Sequence, residues 1–156
     1  MAKSLRRLTP LALIAAGPLL AGCAQSGPPA RSSAVHSRVL PVLGRVLDDS
    51  AGYTLYVYLP DRRDRSRCTG TCAQQWPPLV LPTKIRFPTA GPGVRRSLLG
   101  TITRPGGARQ VTYNGWPLYT YAQDNPGTAN GQGDDMGTWY VISTAGVVNR
   151  RPVPDS

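Results

Sequence analysis

Cys68 and Cys72, which are separated by three residues, are the side chains best suited to redox or metal chemistry. In an exported protein, such a pair normally oxidises to a disulfide. The ring is short, so loop entropy predicts a contribution of about 2 kcal/mol to stability. The alternative is a copper or thiol-redox site, because paired thiolates bind Cu(I). The single histidine, His36, lies upstream of the pair. We therefore favour the disulfide.

Asp61 and Asp124 each end a tyrosine-rich run and begin a turn-rich stretch. An Asp in this position commonly bonds backbone two residues further on. Acid–base catalysis would need a second carboxylate or a base nearby, and the chain has no Glu and only one His. We therefore predict structural roles for both aspartates, and no catalytic residue, resident metal or cofactor.

Residues 124–135 are rich in oxygen ligands, as a calcium loop would be, but they lack the alternating donors and the closing Glu of an EF-hand. We predict a glycine-rich surface loop. Aromatic residues could line a carbohydrate or peptide groove, but at strand spacing they are more typical of a core. These residues are Tyr53, Tyr56, Tyr58, Trp76, Trp116, Tyr119, Tyr121 and Trp139.

The aspartates belong to an internal repeat with an offset of 63 residues. Tyr56, Tyr58 and Asp61 recur as Tyr119, Tyr121 and Asp124. The same offset relates three further pairs, which are Gly52 and Gly115, Leu55 and Leu118, and Trp76 and Trp139.

Further upstream, Leu43-Gly44 matches Leu99-Gly100 at an offset of 56. This match predicts about seven extra residues in the second unit, within 109–115. An added strand or a longer hairpin would accommodate them.

Alternation around each tyrosine pair has the period of two that a β-strand requires. Asn114-Gly115 lies between two such runs and predicts a hairpin turn. Residues 138–143 form another predicted strand, and the only predicted helical turn is at 72–76. We therefore predict a small all-β domain at 39–152 with little helix. It contains two similar units, at about 39–82 and 95–145.

Three runs resemble the bacterial secreted-repeat lipoproteins that carry a Tyr-x-aromatic-x-x-Asp motif. They are residues 55–61, 68–79 and 110–124. The resemblance covers about residues 39–145. Because that family is described as predicted lipoproteins of unknown function, it implies a lipoprotein and assigns no catalytic residue.

The N-terminus has the features of a lipoprotein signal peptide. Lys3, Arg6 and Arg7 precede an apolar run at 8–20, which is too short for a membrane-spanning helix. The sequence Leu-Ala-Gly-Cys23 that follows resembles a bacterial lipobox. We predict a signal peptide at 1–22 and a Cys23 that carries palmitate-type acyl chains and anchors the protein to the membrane. A Ser/Pro/Gly-rich tether follows at 23–38.

The composition narrows the class of protein further. With 17 Gly and 16 Pro among 156 residues, a helical bundle is disfavoured. Removing the signal peptide takes away three of 18 basic residues and no acid, which leaves 15 basic residues against 8 acidic ones. Such a charge favours anionic envelope polymers or another envelope protein as partner. Export and the lack of a binding motif argue against nucleic acid.

We therefore expect a non-enzymatic binding or structural module that is lipid-anchored at the cell envelope. The alternative is a metal-handling or thiol-redox lipoprotein that uses Cys68 and Cys72.

Overall fold

The computed structural model describes residues 34–153; the predicted signal peptide, Cys23 and the tether up to residue 33 lie outside this range. The described part contains eight strands: β1 (Ala34–Leu40), β2 (Gly44–Asp49), β3 (Tyr56–Tyr58), β4 (Thr89–Ala90), β5 (Leu99–Thr103), β6 (Arg109–Tyr113), β7 (Trp116–Pro117) and β8 (Trp139–Val141). Two short helices, α1 (Thr71–Gln75) and α2 (Asp134–Gly137), and a 3₁₀ turn at Arg96–Leu98 complete it. The prediction of an all-β fold with little helix is confirmed.

Each half of the domain begins with an antiparallel hairpin. β1 pairs with β2, and β5 pairs with β6. β4 adds to β1 in parallel, and β7 adds to β6. β3 of the first half pairs with β8 of the second half, so a two-stranded sheet joins the two repeats.

The two hairpins correspond at the offset of 63, which takes the last residue of β1, Leu40, to the last residue of β5, Thr103. The upstream match at an offset of 56 was therefore wrong, and no hairpin is added in the second unit. The paired glycines also differ in role. Gly44 enters β2 with a φ of 72° that favours glycine, whereas Gly100 lies within β5 opposite Thr112.

The domain extends further toward the N-terminus than the sequence predicts. β1 begins at Ala34, so residues 34–38, which were predicted as tether, belong to the sheet: Ala34 pairs with β4, and residues 35–38 pair with β2. His36 is one of them and lies opposite Asp48. The polar composition of this segment suggested a tether, but a strand that buries only one face needs few apolar residues. In the first half of β1, the buried Val35 supplies that contact.

Local predictions are confirmed at three places. The Asn114-Gly115 turn joins β6 to β7 with φ values of 50° and 78°, which a type I′ turn requires. The helical turn predicted at 72–76 is α1. The strand predicted at 138–143 is the shorter β8.

The core consists of an aliphatic cluster and an aromatic cluster. The aliphatic cluster includes Val35, Leu47, Leu55, Val57, Leu79, Val111, Leu118 and Ile142. The aromatic cluster includes Tyr56, Trp76, Tyr119, Tyr121 and Trp139. Between residues 34 and 153, no helix has the length and apolar character needed to cross a bilayer.

Candidate functional site

The tyrosine that opens each motif copy is bonded to the aspartate that closes the other copy. The Tyr56 hydroxyl donates to Asp124 Oδ2 at 2.7 Å, and the Tyr119 hydroxyl donates to Asp61 Oδ2 at 2.6 Å. All four side chains are buried. The motif residues therefore form two crossed pairs that connect the repeats.

The backbone places these pairs symmetrically. Tyr56 N–H donates to the Tyr119 carbonyl at 2.8 Å, and Tyr119 N–H donates to the Tyr56 carbonyl at 3.0 Å. Reciprocal bonds between equivalent residues are the pattern of a two-fold axis. The two repeats are therefore related by an approximate two-fold axis, which passes between Tyr56 and Tyr119.

Each aspartate also closes its own loop. Asp61 Oδ1 accepts the Arg67 N–H at 2.7 Å, and Asp124 Oδ1 accepts the Asn130 N–H at 2.8 Å. Each donor lies six residues after its Asp. The prediction of a bond to the backbone two residues further on was therefore wrong. The loops are longer than a simple turn, so the carboxylate reaches across them.

Burial governs the ionisation of both pairs. It raises the pKa of Asp61 and of Asp124, although hydrogen bonds from tyrosine and backbone N–H groups act in the opposite direction. Burial also raises the pKa of Tyr56 and of Tyr119, and the neighbouring carboxylate adds to this effect. The tyrosines therefore keep their protons and donate hydrogen bonds to the carboxylates.

The surroundings of the Tyr119–Asp61 pair are more polar than those of its counterpart. Ser66 Oγ lies 2.7 Å from the Tyr119 hydroxyl. Arg104 donates to Ser66 Oγ at 2.7 Å and to Gln110 Oε1 at 2.6 Å. Around the Tyr56–Asp124 pair, the Tyr56 hydroxyl accepts the Gly131 N–H at 3.3 Å, and Asp124 Oδ1 accepts the Thr128 hydroxyl at 3.3 Å.

Sequence reasoning missed Ser66, Arg104 and Gln110. The offset of 63 places Ala129, Pro41 and Leu47 at the matching positions, so a search for repeated residues passes over all three. The signal that could have found Gln110 is a polar residue in a run that otherwise predicts a buried strand.

Four rings form a continuous stack beside these pairs. Tyr58 stacks on Trp139 with centroids 4.4 Å apart, Trp139 on Trp76 at 3.9 Å, and Trp76 on Tyr121 at 4.2 Å. The first and third rings come from repeat 1, and the second and fourth from repeat 2. Tyr56 packs edge-on against Trp76 at 5.3 Å. Tyr56, Tyr119 and Tyr121 are therefore part of the core, as predicted, and the half-buried Tyr58 packs against it.

Cys68 and Cys72 are joined by a disulfide, as predicted. The ring includes Gly70, whose φ of 54° favours glycine. The offset of 63 maps Cys68 onto Gly131, so the second repeat has no equivalent bridge. In the disulfide form, neither sulfur is a free thiolate for metal binding.

The oxygen-rich segment 124–135 is a loop that leads into α2. Its first carboxylate, Asp124, is already bonded to Tyr56 and to its own loop. Within residues 34–153, no group of three or more His, Cys, Asp or Glu side chains is arranged to hold a metal ion.

A family model described as a secreted repeat of unknown function matches residues 37–80 and residues 100–143. The two segments begin 63 residues apart and together cover more than half of the chain. No curated protein and no solved structure matches the chain. The two matched segments contain the crossed tyrosine–aspartate pairs, and the chain therefore belongs to the family of secreted repeats of unknown function.

Proposed function

We propose that this protein is a lipid-anchored, extracytoplasmic module of the bacterial cell envelope that binds or organises other envelope components and is not an enzyme. Its family is described as secreted, which supports a location outside the cytoplasm. The Leu-Ala-Gly-Cys23 sequence after a short apolar run supports lipidation at Cys23.

The observation that carries the non-enzymatic assignment is the crossed pairing of the motif residues. A catalytic carboxylate has to reach substrate, but Asp61 and Asp124 are 4% and 6% exposed. Each has one oxygen bonded to tyrosine and the other to backbone N–H. The residues of the sequence that are best suited to proton transfer therefore join the two repeats.

The disulfide supports export, because such bonds persist in oxidising compartments. Copper handling or thiol exchange through Cys68 and Cys72 would first require reduction of this bond. A free-thiol count on the purified protein separates the two functions. Two thiols that bind Cu(I) would favour the metal or redox alternative, whereas a disulfide supports the structural role.

The surface charge supports an anionic partner. Residues 34–153 contain 14 Arg and Lys residues against seven Asp residues, and most of the basic side chains are exposed. Anionic envelope polymers, or an envelope protein with an acidic surface, fit this charge by long-range attraction.

Metabolic labelling tests the anchor. Cells that express the wild-type chain should incorporate labelled palmitate into the protein, and cells that express Cys23→Ala should not. Equal incorporation in both would refute the anchoring proposal. A pull-down from envelope extracts with the mature chain as bait then tests for a binding partner. Recovery of the same components by a Tyr119→Phe variant would show that the motif is not itself the binding surface.

A further inference from the structure

A groove of about 390 Å³ opens between the β1–β2 hairpin and the segment after β8. Apolar side chains, including Leu43 and Val148, line part of it. Arg45, Arg150 and Arg151 also line it. None of the described residues that line the groove is acidic. The groove thus combines an apolar surface with an uncompensated positive charge.

Hydrogen bonds hold the two walls of this groove together. Asn149 Nδ2 donates to the Leu43 carbonyl of the hairpin at 2.8 Å, while Asn149 N–H donates to the Val141 carbonyl at 2.9 Å and so holds its own segment against β8. Arg151 Nη1 lies 3.4 Å from the Val42 carbonyl oxygen. The arginines are therefore attached to backbone that is fixed against the hairpin.

Exposed valines lie beside the groove. Val42, at the tip of the hairpin, is 50% exposed, and Val147, in the opposite wall, is 63% exposed. Val39, which pairs with Arg45 across the hairpin, is 62% exposed. An apolar tip flanked by arginines is the pattern of surfaces that lie at a membrane interface.

The backbone of Val42 adds an independent observation. Its φ is 65°, in the left-handed region that β-branched residues rarely adopt. Folding alone would favour Gly or Asn at this turn position. Strained residues cluster at functional sites, and Val42 presents an exposed apolar side chain at the tip of the β1–β2 hairpin.

We propose that this groove and the adjacent valines form a docking surface for the anionic phospholipid bilayer in which the protein is anchored. The guanidinium groups of Arg45, Arg150 and Arg151 would bind lipid phosphates, and Val42 and Val147 would enter the headgroup region. The inference rests on the proposed membrane anchoring and identifies the lipid surface itself as a binding partner.

The chain length between anchor and domain permits this arrangement. Residues 24–33 can reach about 33 to 36 Å when extended, whereas the seven residues of β1 span about 23 Å. The tether is therefore long enough for the tip of the hairpin to reach the bilayer in which Cys23 is anchored. The arginines would then lie within the range over which anionic lipids attract them.

Vesicle co-sedimentation tests the proposal with the mature chain, residues 23–156, carrying Cys23→Ser so that no lipid contributes. The chain should bind vesicles of phosphatidylglycerol mixed with phosphatidylcholine, and should not bind pure phosphatidylcholine. Replacing Arg45, Arg150 and Arg151 with Gln should weaken binding by roughly fivefold for each arginine, on the order of 100-fold in total.

The matched control replaces three exposed arginines of the loop after β3, Arg62, Arg65 and Arg67, with Gln. It removes the same charge away from the groove, and it should weaken binding by less than about fivefold. Equal losses in both triple variants would show a general charge effect and overturn the proposal. Equal binding to neutral vesicles would overturn it as well.

Val42→Asn separates docking from folding. Asn tolerates the left-handed conformation, so this variant should melt at the wild-type temperature or above it. It should nevertheless bind anionic vesicles more weakly, by about threefold. Unchanged vesicle binding would show that Val42 is not part of the docking surface. Palmitate labelling reports on the anchor alone, so failure of docking and failure of anchoring give different results.

Discussion

The hydroxyl of Tyr119 and the carboxylate of Asp61 meet where both side chains are buried. A buried carboxylate that loses its donor keeps the full cost of its lost hydration, which is typically about 1–3 kcal/mol. The same holds for Tyr56 and Asp124. At this scale, each aspartate has two tasks, since one oxygen orders its own loop and the other bonds to the opposite repeat.

Double-mutant cycles test which tyrosine pairs with which aspartate. We expect Tyr119→Phe and Asp61→Asn to be coupled by about 0.5–3 kcal/mol, because they remove the two ends of one bond. Tyr56→Phe and Asp124→Asn should be coupled by a similar amount. Chemical denaturation of the single and double variants measures both energies.

The control is the pair that the sequence alone would suggest, Tyr56→Phe with Asp61→Asn. These residues belong to one motif copy but share no hydrogen bond, so their effects should add. A coupling between Tyr56 and Asp61 as large as that between Tyr119 and Asp61 would contradict the crossed arrangement.

Alkaline pH should destabilise the protein through the same tyrosines. Their pKa values are raised by burial above the ordinary value of 10.0, so the unfolded chain loses these protons before the folded chain does. The stability that they provide is complete below pH 10 and is lost as pH rises toward their folded pKa values. Urea midpoints measured from pH 9 upward should fall, and should fall less steeply in the Tyr56→Phe, Tyr119→Phe double variant. An equal slope in both proteins would show that other groups control the alkaline loss.

The sequence made the motif visible but not its partners. Two copies of Tyr-x-Tyr-x-x-Asp offer each tyrosine two equivalent aspartates, and local spacing favours the nearer one. Only the three-dimensional placement of β3 beside residue 119 decides between them. Ser66, Arg104 and Gln110 were missed because they have no counterpart in the other copy.

At the scale of elements, the loops after the two tyrosine segments have diverged while their ends stay equivalent. The first loop contains α1 and the Cys68–Cys72 bridge, and the second contains α2 and several glycines. Both return to a tryptophan in the ring stack, Trp76 or Trp139. The stack thus fixes where each loop must end, and the interior of each loop is free to vary.

Gly131 lies in the second loop, directly against the ring stack. A Cβ on this residue would lie 2.9 Å from Cζ3 of Trp76 and 3.2 Å from Cδ1 of Tyr121. Gly131→Ala should therefore cost about 1–3 kcal/mol through overpacking, and should alter tryptophan fluorescence. Gly106→Ala is the control, because its Cβ would meet open space and only its φ of 86° is unfavourable. That variant should leave the fluorescence of the native protein unchanged. A wild-type spectrum for Gly131→Ala would contradict the close packing.

Removing the disulfide should have a modest effect. The five-residue ring of Cys68–Cys72 restricts the unfolded chain only slightly, so the Cys68→Ala, Cys72→Ala double variant should lose about 2 kcal/mol and still fold. Thermal melts and circular dichroism measure this loss. Complete unfolding of the variant would show that the bridge does more than restrict the unfolded chain, and that the fold depends on it to position the loop.

The elements themselves were largely predictable, because period-two alternation and an Asn-Gly turn are local signals. Two boundaries were not. The start of β1 was hidden by Ser, His and Arg residues that pair with β2 through their backbone. The match at an offset of 56 rested on a Leu-Gly pair whose glycines have different roles: Gly44 begins β2 with a positive φ, whereas Gly100 lies inside β5.

At the scale of the whole molecule, the two repeats form one cooperative unit. The crossed hydrogen bonds, the β3–β8 pairing and the four-ring stack all join residues from opposite halves. Neither half retains these contacts when it is separated from the other. A half-domain would expose aromatic rings that are buried in the intact protein.

Splitting the domain tests this dependence. Fragments 34–95 and 96–153 should each lack a cooperative unfolding transition, and an equimolar mixture should regain β-structure and the native tryptophan fluorescence. Circular dichroism and fluorescence titration measure the recovery. A fragment that melts cooperatively by itself would show that one repeat is sufficient for folding.

The reciprocal bonds between Tyr56 and Tyr119 have the form of a contact between two copies of one molecule. A chain with a single repeat could satisfy its tyrosine and its aspartate only by pairing with an identical chain. Fusion of two such chains would convert a homodimer interface into the interior of a monomer. It would also allow the sequences of the two loops to diverge, because a mutation in a fused gene changes only one copy of the repeat. The bridge in one loop and the glycines in the other are the kind of difference that this freedom allows.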